Sequence, residues 1–61
     1  MRGITLEDIN SGEAGLVLIN PVLNLAVNAE NFFGGNIPKD SKVLIDTNIR
    51  GVHFIVSSEV K

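Results

Sequence analysis

Sixty-one residues make at most one domain, and a chain of that length hides only about 60% of the surface its extended form exposes. There is no cysteine and a single histidine, so a disulfide framework is excluded and a metal would need His53 plus several oxygen ligands. A hydrophobic fraction of 44% beside a net charge of −2 excludes a disordered polyelectrolyte and offers nucleic acid little to hold.

The domain is read as 1–61. Met1 and Arg2 lead into no apolar run, so no secretory signal is expected. Residues 1–10 support two readings. Thr5 and Asp8 suit the start of a short helical turn over Leu6 to Asn10. The same stretch can instead be an extended arm with Ile4 and Leu6 as contacts. Asn10 to Gly15 reads as a loop punctuated by Ser11-Gly12 and Gly15. Leu16 to Ile19 is four apolar residues in a row, which predicts a strand covered on both faces. Gly15 to Ile19 is far too short to span a membrane, and Asn20 and Pro21 interrupt it.

The segment from Asn20 to Gly35 decides the fold class. Asn20 suits an N-cap, Pro21 a first helical residue, and Gly34-Gly35 a stop. At helical spacing Val22, Leu25, Ala26, Ala29, Phe32 and Phe33 share one face, Leu23 and Val27 widen it, and Asn24, Asn28 and Asn31 line the other side. The competing reading is a strand in which Leu23, Leu25, Val27 and Ala29 alternate with Asn24, Ala26 and Asn28. Cap, proline and double glycine agree with the stripe. The expected fold is therefore a small α+β domain, one central helix packed on a short, mostly antiparallel sheet. An all-β sheet is the runner-up.

Asn36 to Ser41 reads as a loop, with Ile37 extended before Pro38. Lys42 to Asp46 and Val52 to Val56 read as two strands of an antiparallel hairpin. The turn is either Asp46-Thr47-Asn48 or Arg50-Gly51. Along the second strand, Val52, Phe54 and Val56 point one way and His53, Ile55 and Ser57 the other.

Chemical groups are sparse. His53 would need an orienting carboxylate and a nucleophile, and only Asp46 and Ser57 offer themselves. The favoured reading is a half-exposed strand histidine, or one packed at a subunit contact. Glu7 and Asp8 diverge on either a helix or a strand, so they form no carboxylate pair. Gly12 to Gly15 lacks the ending of a phosphate loop, and Gly34-Gly35 would lie at the wrong end of the predicted helix for an anion. Lys39, Lys42, Arg50 and Lys61 are too few for an evident phosphate-binding patch. No catalytic, cofactor or metal site is expected.

What remains is apolar surface in excess of what so short a chain can hide. Leu25, Phe32, Phe33, Phe54 and Ile55 are the candidate contact residues, with Lys42, Arg50 and His53 as polar contacts. Residues 1–33 carry Arg2 against Glu7, Asp8, Glu13 and Glu30, whereas residues 34–61 lean positive, a mild dipole that favours head-to-tail contact. The expected role is a non-enzymatic structural or interaction subunit acting through homo-oligomerisation. A compact phage or bacterial accessory protein of the cytoplasm, or of a particle assembled there, fits that description. The alternatives are a regulator or inhibitor of an unrelated protein and, less favoured, a nucleic-acid-binding oligomer.

Overall fold

A computed structural model describes residues 1–20, 22–31, 34–46 and 52–58. Five strands are present: β1 (Arg2–Thr5), β2 (Ala14–Asn20), β3 (Leu25–Asn31), β4 (Lys42–Asp46) and β5 (His53–Ser58). They close into a barrel in the order β1-β2-β3-β5-β4. Neighbours are antiparallel except β3 and β5, which run parallel. Strands β1 to β3 form a meander and β4 returns to lie beside β1, which is a Greek key closed by β5.

The α+β expectation is wrong: the described residues contain no helix, and the fold is all-β. The predicted central helix is replaced by a turn over residues 22–24 followed by strand β3. Leu23 N–H donates to the Asn20 carbonyl at 3.0 Å, and Asn24 takes a left-handed φ of 54°, which asparagine tolerates. Asn20 therefore starts a reversal and not a helix. From Val27 onward the alternation of a strand prevails. Ala29 and Asn31 are buried, while Asn28 and Glu30 are exposed.

Alternation also fills the barrel. Val17, Ala29, Val43, Ile45 and Ile55 point inward from four strands, joined by Ile9 and Ile37 from loops. Ile9 and Ile37 exchange two backbone hydrogen bonds, of 2.7 and 2.8 Å, across the end of the barrel where β1 and β3 finish. A Cβ on Gly15 would collide with the Ile9 side chain, and one on Gly3 would stand 2.6 Å from Val17 Cγ1. Both glycines leave room for this plug and core.

Of the two readings of residues 1–10, the helical turn over Leu6 to Asn10 does not form, and Arg2–Thr5 is extended as strand β1. β1 sits between β2 and β4, and Met1 is tied to Ile45 through its amine (3.0 Å) and carbonyl (2.6 Å). The β4–β5 antiparallel pairing agrees with the sequence, whereas the predicted turns at 46–48 and 50–51 fall largely outside the described residues. Strand β2 is covered on one face only: Val17 is fully buried and Leu16 is exposed.

Candidate interaction surface

The two ends of the barrel differ in chemistry. At one end lie the loop before β2 and the loop after β3, closed over Ile9 and Ile37. Polar groups tie this end together. Asp8 Oδ1 accepts the Lys39 N–H at 2.7 Å, and Glu7 Oε2 accepts the Leu16 N–H at 2.8 Å. The fully buried Thr5 hydroxyl accepts the Ser41 N–H at 2.9 Å and donates to the Pro38 carbonyl at 2.8 Å.

At the other end the β2–β3 hairpin presents Val22, Leu23 and Leu25, which are 88%, 72% and 53% exposed. Turn positions ordinarily hold Gly, Asn, Asp, Ser or Pro, because polar or conformationally special residues satisfy the reversal in water. Here Asn20 and Asn24 supply the turn chemistry, so Val22 and Leu23 are not needed for it. The apolar surface continues along the outside of β1 and β2. Ile4, Leu18 and Ala26 lie in register across three strands, and Leu16 and Leu6 follow, both exposed.

The residues singled out in the sequence are dispersed. Leu25 belongs to the exposed hairpin. Phe54 is half-buried on β5, in register with Glu30 and Asp46. Ile55, only 2% exposed, belongs to the core and offers no surface. Lys42 is exposed and pairs with Ile4. Phe32, Phe33 and Arg50 lie outside the described residues. Val22 and Leu23 were missed because a helix would have turned them onto the packed stripe. The signal that could have found them is the pair Asn20 and Asn24, a turn chemistry bracketing apolar residues.

His53 pairs in register with Ala29, and its Nδ1 is buried without a hydrogen-bond partner. Asp46 pairs with Phe54, on the opposite face of β5 from His53. Ser57 lies four residues along the strand, roughly 13 Å at ordinary strand rise. No catalytic triad is assembled from these three. Among the described residues no group of three or more His, Asp or Glu side chains is placed to hold a metal, and no helix is long and apolar enough to cross a membrane.

Five-stranded Greek-key barrels include the OB type, whose strand 2–strand 3 face takes oligonucleotides or oligosaccharides. An architecture alone carries no function. On this chain the β2 and β3 strands present Leu16, Leu18, Ala26, Asn28 and Glu30, and neither contains a lysine or arginine. No protein-family model, curated protein or solved structure matches the chain.

Proposed function

We propose that this chain is a non-enzymatic interaction subunit that assembles with copies of itself, using the β2–β3 hairpin tip as its main contact. The observation that carries this reading is the exposure of Val22 and Leu23 at a turn whose geometry asparagines already provide. Water-exposed aliphatic side chains gain about 1.5–3 kcal/mol each when fully covered. Covering both gains about 3 kcal/mol or more, which offsets part of the entropy lost on association. The cytoplasm, or a particle assembled in it, is the compartment proposed with this role.

Sedimentation tests it. The wild-type chain is expected to show a concentration-dependent mass several times 6.6 kDa. The double variant Val22→Ser/Leu23→Ser is expected to run as a folded single chain. A wild-type protein that stays monomeric throughout the micromolar range overturns the reading. Capture of one stoichiometric foreign protein by wild type and not by the variant would move the tip to a regulator's role on an unrelated partner.

A further inference from the structure

We infer that Glu7 and Asp8 form a two-sided latch that seats Ile9 in the end of the barrel, and that this end opens by itself while the strands stay closed. The latch lies away from the hairpin tip and does not depend on self-association. It exists because β1 stops early. Thr5, the last residue of β1, lies opposite Val17, yet β2 begins at Ala14. Ala14, Gly15 and Leu16 pair with β3 on one side and have no register partner in β1 on the other. On the β4 flank the Thr5 N–H donates to the Ser41 carbonyl and the Thr5 carbonyl accepts the Asp40 N–H, both at 2.9 Å. Past Thr5 a single backbone bond, from Leu6 N–H to the Leu16 carbonyl at 2.9 Å, continues toward β2. Side chains then take over. Glu7 Oε2 accepts the Leu16 N–H on the β2 flank at 2.8 Å, and Asp8 Oδ1 accepts the Lys39 N–H on the β4 flank at 2.7 Å. The divergence that bars these neighbours from acting as a carboxylate pair lets each reach a different flank. Bonds from backbone N–H to carboxylate are among the stronger ones.

What the latch holds is Ile9. Glu7 and Asp8 are exposed, and the next residue is 1% exposed. The Ile9 side chain lies against Gly15, where a Cβ would collide with it. Its backbone pairs with Ile37 in an isolated bridge outside the strand ladders. Ile9 is therefore a core residue carried by a strap. Val17 and Val43, by contrast, have strand partners on both sides. Segments held by few ladder bonds, through groups that face water, open at lower cost than continuous strands. The bonds of both carboxylates are exposed. Ile37 also lines a cleft at this end with Gly34, Gly35 and Ile55. Lifting Ile9 off Ile37 thus opens that cleft toward the barrel interior, while the pairing of β1 to β5 is kept.

Amide hydrogen exchange on the whole chain, followed residue by residue by NMR, tests this with two variants. Glu7→Ala/Asp8→Ala removes the latch and should speed exchange at Ile9 and Ile37 by about tenfold or more. Ile45→Val loosens the barrel core and should speed the slowest amides of β4 and β5 by about threefold to tenfold. It should leave Ile9 and Ile37 unchanged, because their opening does not disturb Ile45. Where the double variant does not fold by circular dichroism, Glu7→Gln and Asp8→Asn replace it, each keeping an oxygen acceptor and losing the charge; a smaller acceleration at Ile9 and Ile37 is then expected. If Ile45→Val speeds Ile9 and Ile37 as much as the strands, the end opens only with the whole barrel and the separate opening is overturned. If removing the carboxylates leaves Ile9 and Ile37 unchanged, Glu7 and Asp8 do not hold the strap and the latch is overturned.

Discussion

Val17 and Leu23 belong to one hairpin, six positions apart, and live in opposite surroundings. Val17 is fully buried between Gly3 and the rest of the barrel core, while Leu23 stands in water. The residue chemistry is nearly the same, so hydrophobicity does not decide which one is sheltered. Strand register decides it: β2 places Val17 opposite Val27 inside the barrel, and the chain reverses beyond Asn20 outside it. The interior holds the fold together, and the tip is free to hold something else.

The comparison breaks most visibly from the inside. Ile45 is fully buried and its backbone pins Met1. Ile45→Ala removes three carbons from a close-packed core and is expected to cost about 2–5 kcal/mol. For a barrel this small that is much of the total stability, so equilibrium denaturation should find a largely or wholly unfolded chain. A midpoint shift no larger than that of a surface variant would show that Ile45 is not packed as described.

Gly15 probes the same core by addition. Gly15→Ala thrusts a methyl into Ile9 and should destabilise by about 1–3 kcal/mol. Ile9→Ala, alone, leaves a cavity. Together the two changes should cost less than their sum, with a coupling of about 0.5–3 kcal/mol, because the new methyl enters the vacated space. Strict additivity in a double-mutant cycle would place the two side chains apart.

Polar closure contributes a similar or smaller amount. Thr5→Val keeps the shape of the side chain but leaves the Ser41 N–H without the hydroxyl oxygen it bonds at 2.9 Å. The expected loss is about 1–3 kcal/mol. In a domain of this size each kcal/mol lowers the melting temperature by about 4–8 °C. Thr5→Ser retains the hydroxyl and should lose less.

How much of this was legible from residues alone depended on whether a signal was local. Lys42 to Asp46 was bounded correctly because a turn precedes it and its apolar residues form one short run. Leu16 to Ile19 was recognised as a strand, but its length and its open outer face were not, since an apolar run does not say which neighbours arrive. The helix was misread over 21–33 for a physical reason. Asparagine, proline and glycine are the chemistry of caps and also of turns, and an apolar stripe at helical spacing can coexist with an alternating one. Closure around β3 and β5 selected the strand, and pairing between residues more than twenty positions apart leaves no mark in either segment. Ile55 was expected at an interface for a related reason: one face of β5 had to be inside, and only the pairing with β3 and β4 shows which.

The smallest effect on stability is expected at the tip, and it separates the two regions most sharply. Val22→Ser/Leu23→Ser alters side chains that are 88% and 72% exposed. Surface substitutions away from caps, networks and cores usually stay within about 0.5 kcal/mol, so at high dilution the variant and the wild type should unfold at nearly the same denaturant concentration. At high concentration they should part company. Self-association stabilises the folded state by mass action, so the wild-type melting temperature should rise with protein concentration. The variant's should not. If both proteins showed the same concentration dependence, the contact between copies would lie on another face, and the outer surface of β1 and β2 around Ile4, Leu16 and Leu18 would be the next to alter.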